Sequence, residues 1–218
     1  GTEFLTIEGT VLKGCAKEAT GKIVIPEGVT EIDDSAFWGC SSLTEVVIPE
    51  GVTEIGEWAF DGCSSLTEII IPNSVTTISP SAFDGCTSLT KVVIPENVTG
   101  IPAGTFRECT SLESIIVDSN NKVYDSRNNC NAIIHTESNT LIAGCKNTII
   151  LEGVTRIADG AFRGCSSLTE IVIPESVTWI GNCAFFGCSS LKKVSIPERF
   201  KEREAEIFGE HTAEITYY

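Results

Sequence analysis

The apolar positions of this chain recur on two scales. Over a short distance they alternate or fall three apart, as in Leu43, Val46, Ile48, Val52 and Ile55. Over a longer distance the whole phrase returns. Cys40-Ser-Ser-Leu-Thr-Glu-Val-Val-Ile-Pro49-Glu-Gly-Val-Thr-Glu-Ile-Gly-Glu-Trp-Ala-Phe60-Asp-Gly62 is followed by copies that start at Cys63, Cys86 and Cys109, then at Cys165 and Cys188, with a step of 23 residues inside each run. A proline column (Pro26, Pro49, Pro72, Pro95, Pro174, Pro197) and a phenylalanine column (Phe37, Phe60, Phe83, Phe106, Phe162, Phe185, Phe208) keep the same step. A fixed period between about 20 and 50 residues marks stacked repeats.

Within one unit, Val46 and Ile48 point one way while Glu45 and Val47 point the other, which predicts a short strand. Pro49 ends it, having no N–H for a ladder. Glu50-Gly51 forms a turn, with Gly51 in a backbone conformation that a side chain resists and Asn97 as its substitute further along. Val52 and Ile55 belong to a second short strand. Ala59-Phe60-x-Gly62-Cys63 closes the coil as a single helical or 3₁₀ turn. About eight residues point inward per coil, from Leu43 to Cys63. At roughly 1.5–3 kcal/mol per large buried apolar side chain, one coil is marginal and a stack at about 4.8 Å spacing is stable.

The predicted organisation is one solenoid over residues 1–218. Residues 1–22 form a hairpin cap around Glu8-Gly9, 23–117 form coils, 118–147 are a hairpin insertion, 148–197 form further coils, and 198–218 form a C-terminal cap. A single parallel ladder is expected through residues near 23–25, 46–48, 69–71, 92–94, 115–117, 148–150, 171–173 and 194–196, in about nine coils. The insertion opens where Asp118 replaces the proline, and it ends in Gly144-Cys145 as the first hairpin ends in Gly14-Cys15. One module is thus used twice. In the C-terminal cap Phe200, Ile207 and Phe208 lie on one helical stripe, followed by a strand at 213–217.

Six of the ten cysteines share one column and read as small buried hydrophobes. The second hairpin, centred between Glu137 and Ser138, sets Ile134 opposite Leu141, Ile133 opposite Ile142 and Cys130 opposite Cys145. That last pair is a candidate disulfide. Reduced thiols are the preferred reading, because Cys15 has no such partner. No CxxC pair suggests zinc. The Asn/Asp-rich stretch 118–130 lacks the spaced acids and terminal Glu of a calcium loop and is rich in turn formers. No cofactor is expected.

Net charge is −15, which argues against nucleic acid and anionic membrane surfaces as partners. No run of 18 apolar residues predicts a membrane helix or membrane insertion. The chain opens at Gly1 and has no Met, as a trimmed or recombinant mature segment would. His135 and His211 are its two imidazoles, neither in a nucleophile motif, and no Gly-rich phosphate loop occurs, so catalysis is not expected.

Binding would use repeat-varying outward positions. The first outward column includes Glu45, Glu68, Lys91 and Glu170. The second includes Val47, Ile70, Val93, Ile116 and Val172, either a protein-binding stripe or β-branched residues that simply suit strands. Trp38, Trp58 and Trp179 break the frame and are candidates for a hot spot or for stacking on a glycan; otherwise each packs on its own coil.

The frame C-x-x-L-x-x-V/I-x-I-P-x-x-V-x-x-I-x-x-x-A-F-x-G resembles the BspA-like, or Treponema-type, bacterial leucine-rich repeats over nearly the whole chain. Asp118, Leu151 and the two hairpin modules depart from it. The resemblance implies a right-handed leucine-rich-repeat coil with a parallel β-sheet, and a cell-surface or secreted protein. It also implies adhesion to host matrix proteins, cells or other bacteria. It implies no particular ligand and no binding residues; a purely structural spacer is the alternative.

Overall fold

The computed structural model describes residues 1–218. The chain is a parallel-sheet β-solenoid of about 9 turns. Its front sheet is built from Gly21–Val24, Leu43–Val47, Glu68–Ile70, Lys91–Ile94 and Ser114–Val117, paired in parallel and in register, so that Val47 neighbours Ile70 and Val93 neighbours Ile116. A back sheet stacks the two-residue strands Glu31–Ile32, Glu54–Ile55 and Thr77–Ile78 on the hairpin Leu5–Glu8/Val11–Cys15, whose turn is Gly9-Thr10, one residue later than predicted. Phe37, Phe60, Phe83 and Phe106 stack face to face with centroids 5.0–5.5 Å apart, one ring per coil. Beside them each cysteine donates to the previous coil: Cys63 Sγ to Phe37 O at 3.1 Å and Cys86 Sγ to Phe60 O at 3.2 Å. Burial pushes these thiols well above their ordinary range, and Cys165 to about 12. All ten cysteines are free.

Two local expectations are corrected. The closing corner is not a helical turn. Ser35, Trp58, Ser81, Gly104, Gly160 and Cys183, one frame position, all have φ between 56° and 79°. The corner alternates local bonds (Asp61 N–H to Trp58 O, 3.1 Å) with bonds to the next coil (Phe37 N–H to Ala59 O, 2.7 Å), and a continuous helix has no donors to spare for its neighbour. The post-proline turn has a left-handed glycine at Gly28, Gly51 and Gly153, but Asn97 does not follow them. Where Ser or Asn stands, the turn keeps its closing bond (Val98 N–H to Pro95 O, 3.4 Å) without φ > 0, as a type I turn does.

The predicted single ladder is also corrected: it breaks at residues 148–150, which form no strand. A second front sheet, Glu170–Val172, Lys193–Ile196 and Glu214–Tyr217, follows. Between the two front sheets Ser126 Oγ accepts from Val117 N–H and Asn131 Oδ1 from Ile115 N–H, while Ile149 N–H donates to Cys130 O. The insertion thus occupies the edge that residues 148–150 were expected to take.

The second hairpin, Ala132–His135/Thr140–Gly144, pairs antiparallel and then in parallel with Arg156–Ile157, as the first hairpin pairs with Glu31–Ile32. Its register corrects the prediction. Ile134 does face Leu141, but a bulge at Ile142 sets Ile133 opposite Ala143 and Ala132 opposite Gly144. A bulge reverses the side to which the following residues point. Ile133, Ala143 and Cys145 therefore join the core of the first coils, and Cys130, Ala132, Ile134 and Leu141 join that of the second. Cys130 and Cys145 lie on opposite faces, which removes them as a disulfide pair.

At the C-terminus Glu198–Arg203 is 3₁₀ and Glu204–Phe208 is a short α-helix, not one continuous helix. Phe200, Ile207 and Phe208 are all buried, as the stripe predicts.

Candidate functional site

Strand pleating decides which side chains face out. In the front sheets the alternation that buries Val46, Ile69, Val92 and Ile115 turns Val24, Ile70, Val93, Ile116 and Val172 into solvent; Ile70 is 62% exposed. Val47 is half-buried. Ile149 is 64% exposed although its segment has left the ladder. The result is a column of aliphatic side chains, one per coil as far as Val172, with Ser195 next in register, on a face with no covering element. Exposed apolar positions so aligned are unusual on a soluble surface.

The first outward column flanks it. Glu68, Lys91 and Glu170 are exposed, and Glu45 is half-buried and paired with Lys22 at 3.1 Å. Ile70, Val93, Glu68 and Lys91 line one open groove of about 570 Å³, closed at its far rim by Asn73 and Asp118. Those rim residues were not among the sequence candidates. Their frame position, at or after the strand-ending proline, was the available signal.

The tryptophans are elsewhere. Trp38 and Trp58 are exposed on the corner that follows the back sheet, and Trp179 lies on the back sheet itself. Lys17 Nζ sits 4.7 Å from the Trp38 ring and the Arg156 guanidinium 4.4 Å from Trp179, so a cation of the chain already lies over one face of each of these two rings. The structure brings the seven strand residues from Glu45 to Ile116 together on the first front sheet, sets Glu170 and Val172 on the second, and leaves the three tryptophans apart from them.

The histidines have structural partners. Ala213 N–H donates to His211 Nδ1 (3.1 Å), so Nε2–H donates to Glu204 (2.9 Å), whose other oxygen accepts from Tyr217 OH. That consumes the ring's acceptor nitrogen and ties helix to strand. Ser138 Oγ lies 2.7 Å from His135 Nδ1, a proximity the sequence did not signal, but it also lies 2.8 Å from Thr140 Oγ1 at an exposed hairpin tip. In the Asn/Asp stretch Asp118 accepts from Asn120 N–H, Asp125 binds Arg127, and buried Asn121 donates to Pro95 O and Val98 O while accepting from Val123 and Tyr124 N–H. Its side chains serve the loop's own backbone, the Arg127 side chain and two carbonyls of the preceding coil. No three His, Cys, Asp or Glu side chains converge as a metal site would need, and no helix is long and apolar enough to cross a membrane.

Several solved structures share the architecture. A leucine-rich cell surface protein of Faecalibacterium prausnitzii is 29% identical over 82% of this chain and 61% of its own, with a TM-score of 0.63. The leucine-rich repeat protein of Treponema pallidum is 26% identical over 99% of both chains, with a TM-score of 0.53. A leucine-rich repeat protein of Eubacterium ventriosum is 25% identical over 89% of this chain and 60% of its own, with a TM-score of 0.52. This chain thus spans about three fifths of the F. prausnitzii and E. ventriosum proteins. Among curated proteins none matches. The model of the BspA-type leucine-rich repeat region matches residues 6–133 and 139–217 in 6 copies, and with the frame, the coil geometry and these neighbours it means that the chain belongs to the BspA-type leucine-rich repeat family.

Proposed function

We propose that this chain is a non-catalytic protein-binding module of a bacterial surface or secreted protein, acting in adhesion to host matrix, cell-surface or other bacterial surface proteins. Proteins of this repeat type are in general non-catalytic interaction scaffolds. The carrying observation is the exposed aliphatic column of the front face, from Val24 through Val47, Ile70, Val93 and Ile116 to Val172. Its side chains neighbour one another along the ladder but lie on the side of the sheet away from the core. Burial against a partner would give each roughly 1–2 kcal/mol.

The test is a double variant, Val47→Lys with Val93→Lys, on a panel of matrix and bacterial surface proteins and glycans. Binding to a protein on the panel is expected for the parent chain and lost in the variant, with stability nearly unchanged because both positions lie on the outward side of their strands. Retained binding by a folded variant would exclude the front face. No binding to any protein would favour a spacer, and selective glycan binding lost on Trp38→Ala or Trp58→Ala would move the site to the corner.

A further inference from the structure

Taking the front sheet as the binding face, we infer that its partner is a cationic amphipathic α-helix lying along the solenoid axis. The residue after the strand-ending proline is Glu27, Glu50, Glu96, Glu175 and Glu198, and Glu152 holds the same frame position after Leu151. No lysine or arginine occurs at this position. Asn73 occupies it in the groove shared with Ile70 and Val93, which shows that it borders the aliphatic column. Of the six carboxylates only Glu175 has a cation partner, Arg199.

The turn does not need this charge, since Asn73 stands in the same turn and closes it with the same bond, Val75 N–H to Pro72 O at 3.1 Å. Like charges side by side on neighbouring strands are destabilising. The opposite flank of the column carries both signs, with Lys22, Lys91 and Lys193 among its glutamates. The face is therefore an apolar strip with one shore that carries six carboxylates and no lysine or arginine at its frame position, and its complement is apolar with one cationic flank.

Spacing selects the shape of that complement. Coils repeat at about 4.8 Å. A helix returns a residue to one face every 3.5 residues on average, about 5.3 Å, whereas a strand does so every second residue, about 6.7 Å. From Val24 to Ile116 is four steps, about 19 Å. Over that length a helix falls out of step by about 2 Å, and a strand by about 8 Å, more than one whole coil.

The probe is a synthetic helix with leucines along one stripe and lysines along one flank, titrated against the full chain by fluorescence anisotropy at low and high salt. Glu27→Gln, Glu50→Gln and Glu96→Gln together should weaken it about tenfold at low salt, and the difference should shrink at high salt. A back-side control, Glu31→Gln, Glu54→Gln and Glu57→Gln, should change it less than about twofold if position and not total charge matters. A scrambled peptide of equal charge, a lysine-to-glutamate peptide and a proline-interrupted extended peptide should all bind more weakly. Equal binding by any of them, an equal effect of the control variant, or no binding of the helix would overturn the inference. Panel binding that is lost in the Val47→Lys/Val93→Lys variant but untouched by the Glu27/Glu50/Glu96 variant would leave the front face standing and remove the cationic helix.

Discussion

Between residues 23 and 117 every coil adds the same parts: a front strand, a short back strand or bridge, and a corner turn. Between 118 and 150 the chain adds three strands to the back of the molecule, Tyr124–Asp125, Ala132–His135 and Thr140–Gly144, and no strand at the Cys corner. There Ser167 Oγ donates to Thr110 O at 2.8 Å and Glu108 N–H to Arg163 O at 3.2 Å, so coils separated by the whole insertion touch as neighbours do elsewhere. The insertion is a wedge, thick at the back and vanishing at the corner. A repeat can be interrupted on one side while its stacking continues on another, provided that the insertion brings apolar side chains for both cores it separates. The bulged hairpin does so.

The two regions should respond differently to substitution, and the largest effect belongs to the regular stack. Phe83 has an aromatic ring on each side, at 5.5 Å in both cases. Phe83→Ala should cost about 3–5 kcal/mol in denaturant titration, because neither ring can close the cavity. The loss should reach neighbouring coils, since solenoid stability is a sum of nearest-neighbour terms. A cost under about 1 kcal/mol would contradict a packed column.

At the junction order depends on polar bonds. Asn121→Ala removes the partners of two carbonyls and two N–H groups, and should cost about 2–3 kcal/mol, with faster amide exchange at Val123 and Tyr124. Exposed Asn120→Ala should stay within about 0.5 kcal/mol.

The twice-used module gives a sharper pair. A Cβ on Gly144 would overlap the Phe162 ring, whereas a Cβ on Gly14 would meet nothing within 4 Å. Gly144→Ala should therefore destabilise by about 1–3 kcal/mol through overpacking, and Gly14→Ala should be near neutral. Equal effects would mean that the two copies do not differ in load.

The smallest effect is at the C-terminal cap. Hydrogen bonds from Tyr217 and His211 hold the Glu204 carboxyl below its ordinary value of 4.5. A depressed folded pKa contributes stability above that value and loses it as pH falls through the folded pKa. The melting temperature of the parent chain should therefore drop more between pH 6 and pH 3 than that of Glu204→Gln. Glu204 is partly exposed, so solvent screening keeps the difference small.

Much of the candidate face was legible beforehand for one reason. In stacked coils a frame position is also a direction, so Val47 and Ile70 point outward for the same reason that Val46 and Ile69 point inward. Trp58 was less legible, because its left-handed backbone follows from sharing N–H donors with the neighbouring coil and not from its own propensity. The tryptophans' separation from the strand columns needed the corner to be seen in place.

The 23-residue step, by itself, determined the solenoid, the buried Phe and Cys columns and the outward columns, since periodic apolar residues can be buried together only by stacking; the matching Gly-Cys endings, outside that period, marked the reuse of the hairpin. The tertiary structure alone decided the bulge at Ile142, the opposite fates of Cys130 and Cys145, and the break in the ladder at residues 148–150. Those features arise where two cores compete for one hairpin, and the outcome depends on contacts with Phe162, Ile115 and Val117, which no local pattern around the hairpin encodes.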